Sequence, residues 1–176
     1  HGSANEHSLK ITVDENDAAK QLVQHLAARG RKNLICICGS LPAHRLRQTA
    51  LEKAASAAGI RMTTIVSAEK DPFAIGRQVT QQLLNAAGDA DALICNMDQI
   101  AMGALHVLYA SGIKVPEQIA VTGFDDIPAA AQFIPPITTV RQPIQEIVRL
   151  TFQAIIKPDG TQTVYLPGKL IARETT

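Results

Sequence analysis

The chain has 176 residues, of which 46% are hydrophobic, so it can form one domain with a buried core, or one domain and part of a second. Charged residues make up 19% and the formal net charge is +1, which excludes binding to nucleic acid or an anionic membrane through overall charge. No apolar segment is long enough to cross a bilayer, and the N-terminus lacks the residue order of a secretion signal, so we expect a cytoplasmic protein without membrane contact.

Short apolar segments alternate with longer segments of helical period along most of the chain. The alternation predicts strands over residues 9–13, 33–38, 61–66, 91–95 and 118–122. Helices are predicted between these strands, with Asp14, Asp71 and Asp98 as N-caps and Gly30, Gly59 and Gly112 as C-terminal stops. This order is typical of the α/β class, in which helices flank a parallel sheet.

The pattern changes after residue 122. A polar turn is predicted over 123–128, followed by a proline-bearing stretch over 133–136 and a helix over 142–156. Its apolar residues form one stripe, which consists of Ile144, Ile147, Val148, Phe152 and Ile155. A break at 157–160 precedes two short closing strands, which are predicted over 163–166 and 169–172.

Cysteine and histidine are arranged in a way that predicts neither a disulfide framework nor a metal site. Cys36, Cys38 and Cys95 are odd in number and lie inside apolar segments, so we interpret them as small buried hydrophobic residues of a reducing compartment. His25, His44 and His106 lie on predicted helices without a spaced partner, and a metal ion would need further ligands near the cysteines. We therefore expect no metal and no cofactor.

Polar side chains follow three of the predicted strands. Ligands of an open parallel sheet bind beyond the carboxyl ends of its strands, where loops and helix N-termini meet. The candidate residues at these positions are Arg45, Arg47, Asn96, Asp98, Asp125 and Asp126. An arginine fork on one side and a carboxylate on the other can bind a small polyhydroxylated molecule, because one donates and the other accepts.

Each of these candidates also has a purely structural interpretation. Arg45 and Arg47 could be solvated residues at the start of a helix, and Asp98 could be only a helix cap. Asp125 could form hydrogen bonds only within its own turn.

Motifs of enzymes are missing from the sequence. The turn at 39–42 follows a strand but lacks both the Gly-x-Gly-x-x-Gly and the Gly-Lys-Ser/Thr patterns of nucleotide-binding loops. No Ser, His and Asp trio occurs at a recognisable spacing. We therefore expect binding rather than catalysis, and we assign no catalytic residue.

Four ordered blocks of the sequence resemble the effector-domain signature of the lactose/galactose repressor family. They are ALICNMDQIAMGAL at 92–105, GIKVPE at 112–117, VTGFDDIP at 121–128 and PPITTVRQP at 135–143. The resemblance extends from about residue 11 to the end of the chain. It implies a type I periplasmic-binding-protein-like fold with two subdomains and a ligand cleft between them. It also implies control of a helix-turn-helix headpiece that binds operator DNA.

The same resemblance implies which residues contact the effector. Arg47, Asp125 and Gln142 match positions that contact effector in that family. Asn96 and Met97 are both candidates, because Met97 stands between Asn96 and Asp98 where the family often has Asn directly before Asp. Ile94 is expected to be an apolar neighbour that faces the cleft.

The resemblance also implies an organisation of the chain. Residues 1–10 are interpreted as a tag or leader remnant, because the opening His-Gly-Ser resembles the remainder of an expression tag. Residues 11–136 and 162–176 are expected to form the C-terminal subdomain, and 137–161 to belong to an otherwise absent N-terminal subdomain. Operator DNA would then be bound only by the missing headpiece. We expect the one-sided cleft to bind a sugar-like effector weakly or not at all.

Self-association is a further expectation. The predicted helix at 101–111 and the turn at 127–134 resemble family dimer surfaces, so we expect a homodimer. The apolar stripe of the helix at 142–156 would lose the sheet it normally covers, which favours association or repacking.

Two other functions remain open from the sequence. A periplasmic sugar-binding protein would share the fold but carry a secretion signal and no headpiece. A doubly wound nucleotide-using enzyme would show turnover or be stabilised by nucleotide.

Overall fold

The computed structural model describes residues 9–86, 88–156 and 162–176, and helices and strands alternate through most of them. In chain order the elements are β1 (Leu9–Asp14), α1 (Glu15–Ala28), β2 (Asn33–Gly39), α2 (Pro42–Ala57), β3 (Arg61–Ser67), α3 (Pro72–Asn85), β4 (Ala92–Cys95), α4 (Asp98–Ala110), β5 (Ala120–Thr122), α5 (Pro128–Gln132), β6 (Thr139–Arg141), α6 (Ile144–Ile156), β7 (Gln162–Pro167) and β8 (Lys169–Ile171). The predicted α/β class is confirmed.

The centre of the fold is a four-stranded parallel sheet with the order β3-β2-β4-β5. Successive side chains of a strand point to opposite faces, and both faces of this sheet are covered. Leu34, Cys36 and Cys38 of β2 pack with α1 and α2 on one face, whereas Ile37 packs with α3 and α4 on the other. This double burial explains why the sequence of β2 is almost entirely apolar.

The helices α3 and α4 approach each other closely at two glycines. A Cβ atom on Gly76 would lie 2.0 Å from the carbonyl oxygen of Ile100, and one on Gly103 would lie 2.1 Å from that of Phe73. Any side chain at either position would collide with the backbone of the facing helix. Glycine is therefore required there for close helix packing rather than for an unusual backbone angle.

Two smaller sheets lie beside the central one. β1 pairs in parallel with β7, and β6 pairs in antiparallel with β8. Helix α6 contacts β1, and its apolar stripe stays largely exposed, with Phe152 61% accessible. Within the described residues, no helix has both the length and the apolarity needed to span a membrane.

The predicted elements differ from the structure mainly after residue 122. The short helix α5 and the strand β6 were not predicted, because each is too short to show a periodic pattern. Residues 1–8 and the predicted break at 157–160 lie outside the described residues, whereas residues 9 and 10 of the interpreted leader lie in β1 and pair with β7. The division of the chain between two subdomains stays a prediction. Residues 162–167 form β7, which pairs with β1. Helix α6, from the segment 137–161, also contacts β1.

Candidate functional site

The candidate site lies at the carboxyl edge of the central sheet, where β2, β4 and β5 end. Arg47 is at its centre, on the second turn of α2, and only 7% of this residue is exposed. Buried arginine is rare unless it is paired. The sequence left open whether Arg47 is a solvated surface residue, and its burial rules that interpretation out.

Arg47 is held by contacts on two edges and one face of its guanidinium group. Its Nε and Nη2 atoms donate to the two carboxylate oxygens of Glu15 at 3.0 and 3.1 Å, which is a bidentate ion pair. Its Nη1 atom donates to the backbone carbonyl of Asn96 at 2.6 Å. The guanidinium carbon lies 3.4 Å from the centre of the Phe124 ring, in a cation–π arrangement. These contacts fix the orientation of the Arg47 side chain.

Asp125 and Gln142 complete the polar surface beside Arg47. Nη1 of Arg47 lies 3.8 Å from Oδ1 of Asp125, and Nε2 of Gln142 donates to the same oxygen. Burial raises the pKa of Asp125 above its usual value, while Arg47 and the Gln142 hydrogen bond oppose this effect. The Asp125 side chain thus contacts residues from other elements, so it does more than stabilise its own turn. We call Glu15, Arg47, Asp125 and Gln142 the Arg47 cluster.

The backbone explains why Gln142 lies beside Asp125. The turn after β5 runs parallel to the segment that leads into β6, and the amides of Gly123 and Asp125 donate to the carbonyls of Thr138 and Val140. Asp125 has a φ of 112°, a left-handed backbone conformation that non-glycine residues seldom adopt. Such strain persists where the surrounding contacts hold it and is common at binding sites.

Asp98 links the parts of this turn rather than capping α4. The N-cap position is taken by Met97, which forms no side-chain cap bond. The buried Asp98 carboxylate instead accepts hydrogen bonds from the Ile127 amide at 2.8 Å and from the Thr139 hydroxyl at 2.6 Å. Burial raises the pKa of Asp98 to about 6, against the lowering effect of these two hydrogen bonds. The helix-cap interpretation is therefore wrong.

Asp126 connects the turn to the C-terminal segment. Its carboxylate pairs with Arg141 Nε and with Arg173 Nη2, both at 2.5 Å. Burial would raise the pKa of Asp126, but the hydrogen bonds from Arg173 and Arg141 outweigh it and keep the pKa below its usual value. Asp126 therefore has a structural role, and its side chain is already paired.

The other sequence candidates lie around the Arg47 cluster in different ways. Asn96 is buried; its side-chain amide donates to the His44 carbonyl at 3.3 Å, and Oδ1 has no hydrogen-bond partner among the described residues. Met97 is half-buried and packs against the core between the sheet and α4. Ile94 is 1% exposed and lies in the core on the face of the sheet that α1 and α2 cover, so its side chain does not reach the surface of the site. Arg45 is exposed on α2.

The three cysteines lie in the core of the fold. Cys36, Cys38 and Cys95 are free and buried, and the sulfur atoms of Cys36 and Cys38 lie 3.3 Å apart. In the described part of the chain, no three His, Cys, Asp or Glu side chains are grouped so that they could hold a metal ion.

Glu15 and Phe124 are the residues of this site that the sequence did not reveal. Glu15 directly follows β1, so the rule that led to Arg47 and Asp125 could have found it. Its pairing with Arg47 joins residues 32 positions apart, and no local pattern signals it. Phe124 looks like an ordinary core residue in the sequence, and only the fold shows that it stacks on a guanidinium group.

Comparison with known proteins gives consistent matches. A family model for the periplasmic binding protein-like domain matches residues 23–176. The repressor CytR of Escherichia coli (strain K12) is 34% identical over 142 residues, which cover 79% of this chain and 42% of CytR. The lactose operon repressor of the same organism is 30% identical over 173 residues, which cover 94% of this chain and 48% of the repressor. The chain thus spans about half the length of these curated relatives.

Solved structures show the same architecture. The lac repressor dimer bound to operator and the anti-inducer ONPF superposes with a TM-score of 0.84 and 26% identity, over 94% of this chain and 60% of that one. The complex of the transcriptional regulator CelR with cellobiose gives a TM-score of 0.83 and 29% identity, over 99% and 56% of the two chains. These similarities extend over nearly all of the present chain.

Proposed function

This chain belongs to the periplasmic-binding-protein-like domain family, as an effector-binding domain of the LacI/GalR type, and we propose that it senses a small polyhydroxylated molecule such as a sugar for a transcriptional regulator. The effector would bind at the carboxyl edge of the central sheet. The Arg47 cluster would provide the polar contacts there.

The arrangement of the Arg47 cluster is the observation that carries this proposal. Four polar side chains from four separate segments meet at one edge, and the central one is a buried arginine with a fixed orientation. Hydroxyl groups can donate to the carboxylates of Glu15 and Asp125, and they can exchange hydrogen bonds with the amide of Gln142.

The likeness to whole repressors supports the remaining partners. CelR is solved with cellobiose, and the lac repressor is solved as a dimer on its operator. We infer a cytoplasmic homodimer that binds operator DNA through a headpiece outside these 176 residues. The reported relatives are regulators, which favours a sensor over the periplasmic binding protein and the nucleotide-using enzyme.

We retain the expected organisation as part of this proposal. Residues 11–136 and 162–176 would form the C-terminal subdomain, and 137–161 would belong to the other one. The cleft would then close over the effector only when both subdomains are present, so ligand binding is to be measured on the full-length protein.

A thermal-shift screen of sugars, polyols and nucleosides tests the proposal. A ligand that binds only the folded state raises the Tm, and we expect a concentration-dependent increase with at least one of these compounds. Arg47→Met and Asp125→Asn should each reduce this increase strongly when it is measured against the variant's own Tm. Arg77→Met, on the exposed side of α3, is the matched control and should retain it. An undiminished shift in both cluster variants would remove the site assignment.

A further inference from the structure

The charges of the Arg47 cluster select among polyhydroxylated ligands. We propose that the effector carries no negative charge, so that the site binds a neutral sugar, polyol or nucleoside and rejects its phosphate ester or acid. This inference rests on the proposed function and narrows the class of effector.

Most of the hydrogen-bond donors of Arg47 are already engaged. Three of its five N–H groups donate to Glu15 and to the Asn96 carbonyl, and Phe124 covers one face of the guanidinium group. The edge formed by Nε and Nη2 can bind a phosphate or carboxylate through two parallel hydrogen bonds, and Glu15 occupies it. An anion could bind this edge only by displacing Glu15. At the end formed by Nη1 and Nη2, Nη1 already donates to the Asn96 carbonyl and lies 3.8 Å from Oδ1 of Asp125.

The balance of charge around Arg47 also opposes an anion. Two carboxylates, Glu15 and Asp125, lie beside one guanidinium group. Only 9% of the Arg47 side chain is exposed, so little water surrounds this site. The repulsion between an incoming anion and the two carboxylates is therefore screened less than it would be at the protein surface.

Among the described residues, the two other arginines of this turn have a carboxylate partner of their own. Arg141 and Arg173 both pair with Asp126, whose carboxylate is almost fully buried between them. Arg45 precedes Arg47 by two residues on α2, which places it about 200° around the helix and away from the cluster.

A neutral hydroxyl group meets none of these obstacles. Each oxygen of Glu15 accepts one hydrogen bond from Arg47, and each has a second lone pair that can accept from a ligand hydroxyl. Oδ1 of Asp125 accepts from Gln142, which leaves its other oxygen available. A polyhydroxylated molecule can therefore add donors to two carboxylates without breaking the ion pair.

The test uses the full-length protein and matched pairs of compounds. Neutral sugars, polyols and nucleosides are each titrated beside their phosphate esters, and the sugars also beside their aldonic or uronic acids, by calorimetry at one ionic strength. We expect the neutral member of the binding pair to bind about 10-fold or more tightly than the anion. Glu15→Gln should reduce this ratio of affinities to about 3-fold or less. It removes one negative charge and weakens the hydrogen bonds that Nε and Nη2 of Arg47 form with residue 15. Glu117→Gln, an exposed carboxylate removed in the same way, should leave the ratio unchanged.

The outcomes separate this inference from the proposed function. Tighter binding of the anionic member would overturn the charge selectivity and leave the sensor role intact. A ratio that does not change in Glu15→Gln would show that the carboxylate does not cause the selectivity and would also overturn the inference. Binding of neither member of any pair would contradict the proposed sensor of polyhydroxylated molecules itself.

Discussion

Replacing Arg47 with Met tests whether the Arg47–Glu15 ion pair stabilises the fold in the absence of any ligand. Methionine fills most of the same volume, but it leaves the Glu15 carboxylate and the Asn96 carbonyl without their donor. Removing one partner of a buried ion pair costs about 3–5 kcal/mol. We expect about 3 kcal/mol, the lower end, because 17% of the Glu15 side chain remains in contact with water.

The interaction itself is isolated by a double-mutant cycle. Glu15→Gln, Arg47→Met and the double variant are unfolded in urea at pH 7 and followed by circular dichroism, and equal slopes confirm that the variants remain comparable. We expect a coupling free energy of about 2 kcal/mol, since contacting charged residues couple by about 0.5–3 kcal/mol. Arg77→Met is the control for loss of an exposed arginine and should cost less than about 0.5 kcal/mol.

A coupling free energy below about 0.5 kcal/mol would refute this reasoning. The pair would then behave like an exposed surface salt bridge. The short distances between Arg47 and Glu15 would then contribute little to stability. The orientation of Arg47 would have to be fixed by its hydrogen bond to the Asn96 carbonyl and its contact with the Phe124 ring.

Three further predictions concern the stability of the fold. Gly76→Ala should lower the free energy of unfolding in urea by more than about 2 kcal/mol, because the added Cβ would collide with the Ile100 carbonyl. Gly59→Ala is the control: Gly59 has a φ of +67° and open space around it, so the cost should be only about 1 kcal/mol. Equal costs would contradict the close helix packing. Leu22→Ala removes a fully buried side chain and should cost about 2–5 kcal/mol; a cost below about 1 kcal/mol would mean that the core around α1 collapses to fill the space. Asp98 has a pKa of about 6 in the folded chain, which is above the pKa of Asp in an unfolded chain. Between about pH 4 and 6 the folded state therefore binds more protons than the unfolded state, and the contribution of Asp98 to stability falls as the pH rises through this range. Asp98→Asn should remove this decrease, which is worth roughly 3 kcal/mol. Parallel curves of stability against pH for both proteins would exclude the raised pKa.

Local patterns in the sequence were sufficient for the central sheet and its helices. The apolar run at 33–38 indicated a strand buried on both faces, and β2 packs on both sides as expected. The N-caps at Asp14 and Asp71 and the stop at Gly30 were also correct. These features depend on residues only a few positions apart, so periodicity and capping chemistry reveal them.

The candidate site was predicted in part. The rule that ligands bind beyond the carboxyl ends of parallel strands selected Arg47 and Asp125, and the family resemblance added Gln142; the structure brings these three together. The role of Glu15 and the true partners of Asp98 were missed. Whether Arg47, Asp125 and Gln142 contact an effector stays a prediction.

The sequence by itself determined the strands and helices up to residue 122 and, through the parallel order, which strand ends meet at one edge. Only the tertiary structure decided that Glu15 pairs with Arg47, that β1 pairs with β7, and that Asp98 binds Thr139 instead of capping its helix. The physical reason is distance along the chain. Periodicity and capping arise between near neighbours, whereas these pairings join residues from 32 to about 150 positions apart, and they form only when the packed core brings the segments together.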